Sequence, residues 1–201
     1  MKKKLLIIFV KNPLLGKAKT RLAATIGDEK ALEIYKRLLK RTVEITHNLP
    51  FDKAVFYSEF IDNQDVWDNN VYQKRLQVQG DLGEKMLTAI KQEFAKGYDS
   101  ICIIGSDCYD LNAVIIDSAF QILDKKEAVI GVSEDGGYYL LGMNNLLPAF
   151  FENKKWSTET VAKDTIKDFV KANLSYGKLP VLNDIDNEGD LREIPALLQA
   201  L

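Results

Sequence analysis

The chain has 201 residues with 27 Lys and Arg against 29 Asp and Glu, a net charge of −2, and is 46% hydrophobic and 28% charged. That balance offers nucleic acid no bulk attraction, so an anionic partner has to be held by local clusters of cations. The length suits one domain, 1–201, able to bury roughly 70% of its unfolded surface; two cysteines and one histidine exclude a disulfide framework and a His-rich zinc site.

The opening stretch MKKKLLIIFVKNP has the outline of a signal peptide. Its apolar run, Leu5–Val10, is only six residues long, charge returns at Lys11, and no small-residue cleavage site follows. It reads instead as a strand buried on both faces, as central parallel strands are. Leu32, Tyr35, Leu39 and Val43 recur at three-to-four spacing and predict a helix from about Asp28 to His47. AVFY (54–57) and RLQVQ (75–79) read as further strands. Asp81 caps a helix carrying Met86, Leu87, Ile90 and Phe94, with Glu84 at the third position reinforcing its start.

SICIIG (100–105) is the clearest buried strand, and Asn112 caps the next helix, with Ile115, Ala119, Ile122 and Leu123 inward. AVIGV (128–132) and YYLLG (138–142) are strands separated by SEDGG, with one of Tyr138 and Tyr139 facing the core. Ser157 or Thr158 begins a helix through Ile166 and Phe169; LPVL (179–182) is a last short strand; Asn187 caps a terminal helix carrying Leu191, Ile194, Leu197 and Leu198. Nothing approaches the ~20 apolar residues of a membrane span. Two cysteines in and just after one apolar strand fit a reduced, cytoplasmic setting.

Repeated β–α units imply an α/β protein, a mostly parallel sheet covered on both faces in a three-layer α/β/α sandwich. Ligands of such sheets sit beyond the carboxyl ends of the strands. The stretches that matter are therefore 11–21, 79–85, 105–111, 133–137 and 183–190.

The first of these, KNPLLGKAKTR, looks built for phosphate, but neither common phosphate loop fits. Aligned to G-x-x-x-x-G-K-[ST], the chain has Lys11 in place of the first Gly and Ala18 in place of the hydroxyl residue. A dinucleotide fingerprint fails because Gly16 is the only glycine in residues 1–26. What remains is a turn set by Pro13 and Gly16 with side-chain cations at Lys17, Lys19 and Arg21, Arg21 offering a bidentate fork and Thr20 a hydroxyl. Read without a ligand, the same residues are a solvated basic loop. Lys2–Lys4 precede the strand and fall outside the cluster.

Acids follow other strands. Asp107 stands two residues past the buried strand, and Asp184, Asp186 and Asp190 follow the last one. Carboxylates are the ligands Mg²⁺ or Mn²⁺ would need to neutralise a diphosphate. Alone, Asp107 reads as a turn or capping residue and Asp190 as a first-turn helix acid. Asp135 precedes two glycines that suit either a hairpin or close approach to a ligand. Cys108 lies beside Asp107 but has no histidine near it in sequence to act as a base. Trp156 stacks on a ligand or, more simply, staples the start of a helix.

The stretches KNPLLGKAKTRL (11–22), QGDLGEKM (79–86), GSDCYDL (105–111), EDGGYYLLG (134–142), WSTETV (156–161) and DIDNEGDL (184–191) resemble, in order, a bacterial family of glycosyltransferases assigned largely by fold. That family has the GT-A, or nucleotide-diphospho-sugar transferase, fold. It is similar to small nucleotidyltransferases such as the 2-phospho-lactate guanylyltransferases. The resemblance implies a transferase using a nucleoside diphosphate sugar, a small-molecule acceptor and Mg²⁺ or Mn²⁺; the alternatives are a nucleotidyltransferase acting on an NTP and a small phosphorylated acceptor, or a module that holds a nucleotide without turnover. It implies that Lys11, Lys19 and Arg21 face the nucleotide phosphates, and that Gln79, Gly80 and Gly83 lie near the base or ribose. Asp107 would be the metal-binding acid, Asp186 the second, and Asp135 with Gly136 would face the acceptor. The chain departs from the family at Tyr109, where Pro is usual, and at Asn187–Gly189, where Thr-Pro-Glu is usual.

Overall fold

The computed structural model of the chain describes residues 2–152 and 154–198. Seven strands form one sheet: β1 (Lys4–Val10), β2 (Asp52–Tyr57), β3 (Tyr72–Leu76), β4 (Ser100–Ile104), β5 (Ala128–Val132), β6 (Tyr138–Met143) and β7 (Tyr176–Lys178). Their order is β3-β2-β1-β4-β6-β5-β7. Every neighbouring pair is parallel except the two made by β6. The reason lies in SEDGG: a short turn returns the chain beside β5, and two adjacent strands so joined must run antiparallel.

Alternate residues of β1 feed two cores. Leu6, Ile8 and Val10 join α2 (Asp28–Thr46), α4 (Ala113–Leu123), α6 (Glu188–Arg192) and α7 (Pro195–Leu198) on one face. Leu5 and Ile7 join α3 (Leu82–Phe94) and α5 (Val161–Lys171) on the other. The expected three-layer α/β/α sandwich is thus the observed one. No helix among the described residues is long and apolar enough to cross a membrane.

Local signals account for the starts of α3, α4 and α6. Asp81 and Glu84 form a reciprocal capping box on α3, and Asn112 accepts from Ile115 N–H at the start of α4. Asn187 caps α6 with Asp190 as its reciprocal partner. The terminal helix is interrupted, however. Pro195 has no N–H to continue α6, so the chain starts afresh as α7, and Leu198 stays exposed.

Four other expectations shift. The third strand is Tyr72–Leu76 rather than 75–79, because Gln77 turns its amide back onto the Phe56 and Val10 carbonyls. Helix α5 starts at Val161, since Ser157 has φ 61 and cannot begin a right-handed turn. The last strand is Tyr176–Lys178, and of LPVL only Leu182 bridges to Ser133. Finally, α1 (Thr20–Ile26) follows the basic loop, where no helix was expected.

Candidate active site

The strand order reverses at β1. The chain leaves β1 for β2 on one side, while β4 pairs with it on the other, so the segments after β1 and β4 diverge and leave a crevice between them. Lys19 lies beyond β1 and Asp107 beyond β4. Lys19 Nζ donates to Asp107 Oδ2 at 2.9 Å and to Asp186 Oδ1 at 3.2 Å. Arg21 Nη1 reaches Asp186 Oδ2 at 3.4 Å. Cations of the first loop and acids of two later ones therefore meet at a point that no single segment defines.

The basic loop is held by buried polar groups. Tyr35 Oη accepts from Lys11 N–H at 2.8 Å and lies 3.1 Å from Lys11 O and 3.2 Å from Ser106 Oγ, which ties the segments after β1 and β4 together. Burial leads in pushing the Tyr35 phenol up to about 12, so it stays neutral in this role. Asn12 is buried; its Oδ1 accepts from Glu59 and Phe60 N–H, and its Nδ2 donates to Phe60 O. Lys19 then takes a left-handed backbone, φ 51 and ψ 45. That conformation costs a non-glycine residue about 1 kcal/mol or more. It leaves Ala18 and Lys19 buried between exposed Lys17 and exposed Thr20 and Arg21.

Lys19 is 8% exposed. Burial alone would lower its ammonium pKa, but Asp107 and Asp186 outweigh that and hold it above the ordinary lysine value. The reciprocal effect acts on Asp107: burial raises its carboxyl, Lys19 outweighs it, and the result lies below the usual range. Both partners are thus charged at neutral pH.

The loop bearing Asp186 is fastened to the loop bearing Asp107. Ile185 N–H donates to Asp107 O at 3.0 Å. Asp190 Oδ2 accepts from both Asp186 and Asn187 N–H at 2.9 Å, fixing the backbone that presents Asp186. Asp184 turns the other way. Its Oδ2 accepts from Ser133 Oγ at 3.0 Å, while its Oδ1 is buried with no hydrogen-bond partner. Burial first, then the charge of Asp107, pushes the Asp184 carboxyl up to about 7.

The other sequence candidates lie around this centre. Lys11 is exposed, and its charge reaches Asp107. Gln79 and Gly80 are exposed beyond β3, on the β1 side of which Gln77 binds Val10 O. Gly83 is buried against Phe151 O and the Trp156 indole, so Trp156 packs on the start of α3. Asp135 is exposed; its Oδ1 accepts from Gly137 N–H at 2.9 Å and closes its own turn, while its charge reaches Asp184. Lys2 and Lys4 bind Leu123 O and Asp124 instead, away from the acids of the crevice. The Cys108 thiol is driven up, by burial before anything else, which keeps it protonated at neutral pH. Tyr35, Asn12, Ser106 and Ser133 were not anticipated. The available signal was a polar residue in an otherwise apolar helix or strand end, which reads as an interior hydrogen bond only once its partner is known.

A divalent ion fits this centre in part. Asp107 and Asp186 present two hard oxygens to one point already occupied by a cation, which is the donor chemistry Mg²⁺ or Mn²⁺ takes. Among the described residues, no three His, Cys, Asp or Glu are grouped so as to hold a metal. Two such oxygens fill a third of an octahedral shell.

A profile of the family described as uncharacterized protein conserved in bacteria (DUF2064) matches residues 42–158. No curated protein matches the chain. Among solved structures, a protein of Desulfovibrio desulfuricans G20, provisionally named a nucleotide-diphospho-sugar transferase, is 27% identical with a TM-score of 0.86, covering 99% of this chain and 98% of that one. A 4-diphosphocytidyl-2C-methyl-D-erythritol synthase from Anaerococcus prevotii DSM 20548 is 11% identical with a TM-score of 0.63, covering 98% and 96%. The Rv0371c protein of Mycobacterium tuberculosis H37Rv, solved as a manganese complex, is 11% identical with a TM-score of 0.59 and covers both chains fully (100%). The last two likenesses are of fold alone, and the fold is that of the nucleotide-diphospho-sugar transferases.

Proposed function

The chain belongs to this bacterial family, and from that premise we propose that it is a transferase acting on a nucleotide-activated donor, a nucleoside diphosphate sugar in the first reading. The observation that carries the reading is the meeting of Lys19 with Asp107 and Asp186 at the switch point of the sheet. A solvated basic loop has no reason to bury an ammonium between acids from two other segments. In this reading Lys11, Lys19 and Arg21 bind the phosphates, and Gln79 and Gly80 line the base or ribose side. Gly83 acts by letting α3 pack closely there, and Asp135 faces a small-molecule acceptor.

The chemistry asked of these residues is charge stabilisation. As the acceptor attacks, negative charge grows on the departing diphosphate. Lys19 and Arg21, brought to the crevice by the loop before substrate arrives, stabilise that charge. Direct attack needs no covalent intermediate, in keeping with two cysteines whose thiols burial keeps protonated. Asp107 and Asp186 would hold a divalent ion, which when bound adds charge neutralisation at the same phosphates.

The likeness in fold to a diphosphocytidyl-erythritol synthase favours a second reading, transfer of a nucleotidyl group from an NTP. The products separate the two: a free nucleoside diphosphate, or pyrophosphate. A thermal-shift screen of NTPs and nucleoside diphosphate sugars with and without Mn²⁺ tests both, because a ligand of the native state raises Tm by mass action. We expect at least one donor to stabilise the protein and Asp107→Asn to abolish the Mn²⁺-dependent part. No stabilisation by any donor refutes the function; equal, metal-independent affinity in wild type and Asp107→Asn refutes the metal role.

A further inference from the structure

The acids that would take a metal are already satisfied. Lys19 Nζ bonds both Asp107 and Asp186, its side chain is 6% exposed, and its left-handed backbone turns it inward. A divalent ion approaching the same two oxygens would have to share them with an ammonium, and the repulsion between the two cations weakens its binding. The two acids also supply only a third of an octahedral shell, and Mg²⁺ in such sites takes its remaining places from substrate phosphates and water. Both facts give the same order of events.

We propose that Lys19 is a resident counter-cation that keeps the free divalent ion out, so that metal enters only together with phosphates that draw the ammonium off the two acids. The inference rests on the nucleotide-transferase reading for its purpose, but its test needs no nucleotide. Lys19 is then a gate as well as a phosphate ligand. The exchange keeps the charge of the crevice balanced: Lys19 answers Asp107 and Asp186 before substrate, and afterwards the metal answers them while Lys19 answers the phosphates. It also guards the empty enzyme against a tightly held, unproductive ion.

The experiment is Mn²⁺ binding, read as free Mn²⁺ by electron paramagnetic resonance, on wild type, Lys19→Met and Lys19→Arg with no other ligand. Lys19→Met keeps the chain length without the charge and is expected to bind Mn²⁺ at least tenfold more tightly than wild type. Lys19→Arg keeps the charge and should stay weak. Adding Asp107→Asn to Lys19→Met should remove the gained affinity, which places the ion at these acids. In wild type, calorimetry should show pre-formed Mn²⁺–tripolyphosphate binding at least tenfold more tightly than Mn²⁺ alone. The proposal is overturned if wild type and Lys19→Met bind Mn²⁺ equally. Should Lys19→Met fail to fold, wild type decides: binding Mn²⁺ alone as tightly as the tripolyphosphate complex overturns the proposal. A donor screen without any hit would end the transferase reading and leave the Mn²⁺ contrast standing.

Discussion

Gly136 and Gly97 share a backbone conformation and differ in what surrounds them, so replacing each with alanine separates strain from collision. Their φ angles are 85° and 86°, both left-handed. An alanine there costs about 1–2 kcal/mol in backbone strain, offset by ~0.4–1 kcal/mol from the stiffer unfolded chain. At Gly97 a Cβ meets nothing within 4 Å, so Gly97→Ala should cost about 1 kcal/mol. At Gly136 the new Cβ would collide with Glu159 O and Glu159 C. Those are backbone atoms, so no rotamer change relieves the contact and the segment before α5 has to move. The movement acts on the Ala162 N–H to Gly136 O bond of 3.0 Å, which satisfies a donor in the first turn of α5. Overpacking of about 1–3 kcal/mol and a weakened hydrogen bond of ~1 kcal/mol put Gly136→Ala at least 2 kcal/mol below Gly97→Ala. Urea unfolding of the three proteins measures this, and heating should show a gap of about 4–8 °C. Variants within ~0.5 kcal/mol of each other would refute the collision argument.

Asp190→Ala removes the acceptor of the Asp186 and Asn187 N–H groups and should cost about 1–2 kcal/mol by urea unfolding, with Asp190→Asn losing less. Tyr35→Phe leaves Lys11 N–H without its buried acceptor and should cost about 1–3 kcal/mol, with increased hydrogen exchange at Lys11. Asp184 gives a pH signature in EDTA. Its folded pKa of about 7 exceeds the 3.8 of an ordinary Asp, so the native state binds more protons between those values and its contribution to stability falls as pH rises. Asp184→Asn should therefore match wild type near pH 4 and gain on it by at least about 1.4 kcal/mol at pH 8, one pKa unit's worth; a constant difference across pH refutes the assignment.

The sheet was legible because its strands carry their signal in consecutive residues. LLIIFV, SICIIG and AVIGV are apolar throughout, and only a strand covered on both faces needs that. The caps at Asp81, Asn112 and Asn187 were legible for the same reason, since acceptor and donor stand within three residues. Legibility fails where a partner is distant. Gln77 ends β3 early because it finds Val10 O, 67 residues away. LPVL has the composition of a strand, and its Leu179 and Leu182 N–H groups do reach Ile130 O and Val132 O of β5, but Pro180 between them has no N–H to continue the ladder. In the site, residue types and post-strand positions picked out the cations Lys17, Lys19 and Arg21, Asp107 and the acids of 184–190, and the family resemblance singled out Asp186 among the last. Nothing in the chain's order says that Lys19 bonds two acids at once, or that Tyr35 in a helix pins the loop before it.

The ion cluster joins residues 88 and 167 positions apart, while β1 to β7 are complete by Lys178. During synthesis the framework can therefore assemble before the cluster can. A nascent chain emerges at about 5–20 residues per second, so for a short interval after β7 has appeared Lys19 faces Asp107 without Asp186. The site is finished by the last of its contributors to leave the ribosome, which couples competence to near-completion of the fold. A chain that has emerged only as far as residues 178–185 would carry its sheet and the Lys19–Asp107 pair but not the contact to Asp186.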